Sequence, residues 1–192
     1  MKKLNAMLLM SFGLSLTAAA VELPFYVYKD GEPKQDKYIP SGWMGDYGAL
    51  TMDAHCKDSP KSGTSCIKFK YSGQVTQGQQ WAGVYWQNPA NNWGSLNGGY
   101  NLQGATKLKF AARGAKGGEV VQFKIGGMAG PSFSDSDSAS SGPLTLTAEW
   151  KEYEIDLKGL DLSYILGGFS WTASLQDNPE GFVMYLDEIE YE

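Results

Sequence analysis

The 192 residues carry 16 Lys and Arg against 21 Asp and Glu, a formal net charge of −5, with hydrophobic residues at 42% and aromatic ones at 13%. Nucleic acid and anionic membranes are excluded as expected partners, because no basic excess exists to displace phosphate counterions. The apolar content is too high for a disordered chain, and the length suits one full hydrophobic core rather than two.

At the N-terminus, Lys2 and Lys3 precede an apolar run from Ala6 to Leu16 and then Ala18, Ala19 and Ala20, the pattern of an export signal with a small-residue cleavage site. The expected organisation is a signal over residues 1–20 and a single domain over residues 21–192. Loss of Lys2 and Lys3 takes the net charge from −5 to −7. The apolar run is too short for a transmembrane helix, and no Cys follows it to accept a lipid. A soluble exported protein is expected, in the periplasm, the medium or at the cell surface.

Cys56 and Cys66 bracket a turn-rich stretch from Lys57 to Ser65. In an exported chain this pattern predicts a disulfide, and closing a loop of about ten residues would contribute roughly 2–3 kcal/mol. Zinc is excluded by the spacing and by the presence of a single His.

Beyond residue 60 the chain reads as strands and turns. Apolar and polar residues alternate through Ile67 to Tyr71, Leu108 to Phe110 and Val121 to Ile125, and no segment of useful length keeps a helical period. Glycine pairs at Gly98-Gly99, Gly117-Gly118, Gly126-Gly127 and Gly167-Gly168 fall where strands would start or stop. The expected fold is all-β, a β-sandwich of jelly-roll type. Two surface loops are expected, one from Asn88 to Tyr100 and one, rich in Ser, from Gly130 to Pro143.

Between Gln80 and Trp93 lie three of the six tryptophans and a tyrosine, flanked by Gln and Asn. Either the core is unusually aromatic or a flat apolar face lies beside amides, an arrangement that suits a sugar ring. Alternation places Ala82, Val84 and Trp86 on one face and Trp81 and Tyr85 on the other. The first set is the more ordinary core, which turns Trp81 and Tyr85 outward. By the same rule Val121, Phe123 and Ile125 point in and Gln122 and Lys124 out. Leu108, Phe110 and Ala112 point in, with Lys109, Ala111 and Arg113 out. Trp93 and Tyr100 sit in or beside a loop with little else apolar to bury them, so they join the ligand candidates. Arg113, the one arginine, either offers a planar fork of donors to vicinal hydroxyls or a uronate, or pairs with a nearby carboxylate. Trp43 reads as a plug at one end of the core, and Phe169 and Trp171 share a face that favours the core.

Three segments resemble carbohydrate-binding-module and galactose-binding-like β-sandwiches of bacterial secreted proteins. They are Ser62-Gly63 with the strand Ile67 to Tyr71, the strand Thr147 to Leu157 around Trp150, and the closing strand Phe182 to Tyr191. Together they span roughly residues 40 to 192. The resemblance implies glycan binding on a concave sheet face or in end loops, and places Trp150 in the sandwich. It also implies structural calcium at the acidic residue of the last strand, here Asp187, with Asp30 and Glu32 as partners. Glu188 stands where such modules usually have a second Asp. Asp135 and Asp137 form an Asp-x-Asp that either binds calcium or belongs to a flexible Ser-rich loop.

An enzyme is the less favoured class. A glycosidase needs two carboxyl groups across a cleft, and no such pattern stands out. His55, the single histidine, has no Gly-x-Ser-x-Gly elbow to serve, and the glycine pairs lack the Lys and Ser or Thr of a phosphate loop. The expected function is therefore non-catalytic polysaccharide binding through Trp81, Tyr85, Trp93, Tyr100, Arg113, Gln122 and Lys124. The alternative is a structural or adhesive surface protein whose aromatics pack on another protein or on a second copy.

Overall fold

The computed structural model describes residues 18–31 and 37–192. The expected signal, up to Thr17, and Glu32 lie outside the described residues.

Eleven strands follow in order: β1 (Phe25–Tyr28), β2 (Ile39–Gly45), β3 (Leu50–Cys56), β4 (Cys66–Tyr71), β5 (Trp81–Gln87), β6 (Lys107–Gly114), β7 (Val120–Gly126), β8 (Ser138–Thr145), β9 (Lys151–Asp156), β10 (Gly167–Ser174) and β11 (Phe182–Tyr191). They form two antiparallel sheets. One runs β3-β4-β11-β6-β9 with β1 added beside β11, and the other runs β2-β5-β10-β7-β8. Almost every neighbour is distant in sequence, which is the crossing pattern of a jelly roll.

The inner faces meet in one aromatic core. Phe69 packs edge-on against Trp86 and Trp171, with ring centroids 5.8 and 5.0 Å apart. Phe123 and Phe169 close against Phe110 at 4.6 and 5.5 Å. Edge-to-face and tilted ring contacts of this kind add to the large apolar area each ring removes from water. Strand alternation accounts for the assignment: Ala82, Val84, Trp86, Leu108, Phe110, Ala112, Val121, Phe123 and Ile125 are all buried. Phe169 and Trp171 are core as well, and Trp43, opposite Val84, is partly buried against them. Ala111, though on the outward side of β6, is covered between Asp187 of β11 and Glu152 of β9.

Three expectations need correction. The stretch from Gly130 to Pro143 is not all loop, because β8 begins at Ser138 and pairs with β7 as an edge strand. An edge tolerates Pro143, whose missing N–H costs no ladder bond on the open side, and a bulge between Gln122 and Lys124 absorbs the irregularity. Trp150 is not in the sandwich. It lies half-buried on the outer face of the six-stranded sheet, against Tyr185, with its indole N–H donating to the Ser59 carbonyl at 2.7 Å.

Arg113 is the third. Its guanidinium lies over the Tyr185 ring at 3.7 Å and donates to the Asp58 carbonyl at 2.7 Å, on that same outer face. Cys56 and Cys66, the pair expected to be bridged, stand here as thiols, both buried and facing each other across β3 and β4. Burial, with Cys56 beside it, pushes the Cys66 thiol up to about 12.

Candidate binding groove

The outer face of β2-β5-β10-β7-β8 forms a groove of about 700 Å³. Its floor follows from the register. One row across the sheet reads Gly42, Tyr85, Ser170, Lys124, Ser140, and the next reads Met44, Gly83, Thr172, Gln122, Pro143. Between the aromatics of β5 and the polar side chains of β7 the floor is therefore low, built from Gly83, Ser170 and Thr172. Gly83 keeps it so, since a Cβ there would stand 2.3 Å from the Trp171 carbonyl oxygen.

Two tryptophans stand along this trough. Trp81 and Trp93 are 38% and 45% exposed, high for indoles that have a core available. From Trp81 to Tyr85 is four residues along a strand, about 13–14 Å at the usual rise. Trp93 lies parallel over Tyr85, with centroids 6.2 Å apart and planes 10° apart. Tyr85 itself is almost fully buried in a small cluster with Met128 and Leu166. Its hydroxyl donates to the Gly126 carbonyl and lies beside the Asp135 carboxylate, and burial raises its pKa. Tyr85 is thus a support beneath Trp93 more than a free platform.

Each platform is fixed by buried polar groups. Asp46 accepts the N–H groups of Thr76 and Gln77 at 2.8 and 3.0 Å, and its own N–H donates to the Trp81 carbonyl at 2.8 Å. The Trp93 loop is folded by Asn92, whose Oδ1 accepts from Gly94 and Leu96, each at 3.1 Å, while Gln87 donates to the Asn92 carbonyl at 3.0 Å. The amides that accompany the aromatics in sequence are thus largely spent on shaping the loop. Gly94, at φ +79°, accepts from Ser132 and Phe133, and its backbone packs directly on Gly130. Asp135 accepts from Met128 at 2.8 Å and from Leu166 and Gly167, tying the groove wall to β10. Burial pushes its carboxyl above the usual range, against those donors.

Trp81, Tyr85, Trp93, Gln122 and Lys124 all line this groove; Tyr100 and Arg113 do not. Tyr100 packs against Phe25 and Tyr38 at the rim of the core, and its hydroxyl accepts from Asn88 at 3.1 Å. Met44, Ser170 and Thr172 also line the groove, without any aromatic or charged signal to mark them in the sequence.

The calcium residues have other work. Asp30 accepts the N–H groups of Thr64 and Ser65 at 2.6 and 2.8 Å, and Asp187 those of Lys61, Ser62 and Glu188 at 2.9, 3.3 and 2.9 Å. Carboxylates aimed at N–H donors do not fit a cage that needs six or more oxygen ligands. Among the described residues no group of three or more acidic, His or Cys side chains gathers for a metal. Asp135 and Asp137 likewise serve backbone donors.

No protein-family model and no curated protein matches this chain. Solved structures do. A family 30 carbohydrate-binding module of a Clostridium thermocellum cellulosomal cellulase superposes at TM-score 0.56 with 16% identity, covering 89% of this chain and 98% of that one. A family 11 module of another cellulosomal cellulase from the same organism gives 0.58 and 16%, covering 91% and 95%. A family 11 module in complex with a β-1,3-1,4-mixed-linked tetrasaccharide gives 0.54 and 17%, covering 78% and 86%. The chain has the two-sheet β-sandwich fold of these carbohydrate-binding modules.

Proposed function

We propose that this protein is an exported, non-catalytic module that binds a polysaccharide along the groove. The observation that carries the reading is the pair of exposed indoles, Trp81 and Trp93, set along one trough whose opposite wall presents Gln122 and Lys124. A pyranose offers an apolar C–H face and an equatorial ring of hydroxyls. The indoles take the face, and Gln122, Lys124, Ser170 and Thr172 take the hydroxyls. The fold shared with carbohydrate-binding modules, one of them bound to a mixed-linked tetrasaccharide, supports the ligand class.

Absence of catalysis is part of the proposal. Hydrolysis by paired carboxyls requires two of them across the scissile bond. Asp177 is the one acidic residue among those lining the groove, and its carboxylate accepts from Ser174 Oγ at 2.7 Å. Single-site affinity is expected in the micromolar to millimolar range, about 4–8 kcal/mol, raised on a polymer by multivalency. Export rests on the N-terminal pattern. Among the described residues no helix is long and apolar enough to cross a membrane.

The test is affinity electrophoresis of the wild type and of Trp81→Ala and Trp93→Ala through gels containing soluble β-glucan, xylan or mannan. Retardation of the wild type that each substitution weakens supports the groove. Equal retardation of all three places binding elsewhere.

A further inference from the structure

On the face opposite the groove, we propose that Cys56 and Cys66 form a cross-strand disulfide that latches the 57–65 loop over the six-stranded sheet. The pairing depends on a bulge. Asp53 stands opposite Lys68, so an unbroken register would put Cys56 opposite Ser65; one extra residue in β3 brings it opposite Cys66 instead. Directly opposed residues of an antiparallel pair have Cα atoms about 4.5–5.5 Å apart, within the span that a disulfide bridges without backbone movement.

The backbone between the cysteines is already held in place. Asp187 takes the N–H groups of Lys61 and Ser62, Asp30 those of Thr64 and Ser65, and the Asp58 and Ser59 carbonyls receive Arg113 and Trp150. A loop pinned at both flanks loses little further freedom when its base is closed. It also presents the two thiols to each other, packed under Tyr185 and away from other cysteines.

The chemistry is an exchange with a small disulfide oxidant such as oxidised glutathione. Cys56 attacks first, because its sulfur lies at the start of the loop and accepts the Asp58 N–H at 3.5 Å, whereas Cys66 is fully enclosed. Attack forms a mixed disulfide and releases one glutathione thiolate. Cys66 then attacks the Cys56 sulfur, releasing the second. Two protein thiols are oxidised and one glutathione disulfide is reduced to two thiols, with the two thiol protons carried off by the departing thiolates.

The full chain is refolded from denaturant in a glutathione redox buffer, acid-quenched and weighed by mass spectrometry, with free thiols counted in denaturant. The expected product is lighter by two hydrogens, has no titratable thiol, and melts about 5–10 °C above its reduced form. Given oxidised glutathione only after folding is complete, Cys66→Ser should accumulate a glutathione adduct at Cys56, while Cys56→Ser stays largely unmodified. Two titratable thiols, or glutathione on both cysteines of the wild type, would overturn the latch. An adduct that forms equally well on either single variant would overturn the order of attack. Because the loop lies across the sandwich from the groove, this outcome is independent of whether any glycan binds.

Discussion

Replacing Trp93 by alanine removes the more exposed of the two indoles while leaving the sheet intact. A tryptophan side chain contributes up to about 250 Å². With 45% of it exposed, roughly 110 Å² is free to meet a ligand. A sugar ring that covers half to all of that area gains about 1.5–3 kcal/mol at ~25 cal/mol per Å². The substitution should therefore weaken polysaccharide binding about tenfold to a hundredfold. Its cost to folding is smaller, about 0.5–1.5 kcal/mol for the lost stack on Tyr85. Isothermal titration with the retained glycan, beside a melting curve, separates the two effects. Binding within twofold of wild type, with the fold intact, would refute the role assigned to Trp93.

Other expectations concern the rest of the molecule. Arg113→Ala should leave glycan binding unchanged and lower stability by about 1–2 kcal/mol, through loss of its stacking on Tyr185 and its bond to Asp58; weakened binding at full stability would return Arg113 to the site. Burial raises the Asp187 carboxyl to about 6, so the folded state holds a proton that the unfolded state releases near 3.8. The resulting stabilisation is complete below pH 3.8 and is lost as pH rises through 6, by at most about 3 kcal/mol and less where solvent screens the loop. Denaturant titrations between pH 4 and 7 should show that decline, and a stability that rises over the same interval would contradict it. Addition of a chelator should leave the melting temperature unchanged, since Asp30 and Asp187 point at backbone donors; a drop of several degrees would restore the calcium site.

How far the sequence reveals this molecule can be judged from single strands. In β7 the alternation of Val121, Phe123 and Ile125 with Gln122 and Lys124 is enough to orient the whole strand, because a period of two fixes both faces at once. The same holds for β5, where Ala82 and Val84 carry Trp86 inward. Alternation does not say which outward face is concave or which strands become neighbours. Arg113 and Gln122 both point outward, yet they belong to opposite sheets, and only the crossing topology separates them. Tyr85 shows a further limit: it points outward from its strand and is buried all the same, because Trp93 closes over it. Asp46 and Asp135 look like ordinary loop acids in sequence, and their role as anchors of the two platforms depends on donors some 30 residues away. The Ser-rich segment reads as a loop because its residues are mostly small and polar, and an edge strand with one solvated face needs no apolar alternation to mark it.

The most direct test of the groove as a glycan site is retention of the wild type and the Trp81→Ala/Trp93→Ala double variant on insoluble cellulose, xylan, mannan, chitin and alginate, with the folded spectrum of each recorded. Retention of the wild type on at least one polymer, lost in a folded double variant, is the predicted result. Retention that survives in the double variant, or no retention of the wild type on any polymer, would contradict the account and leave the groove to a protein partner or a second copy of the chain.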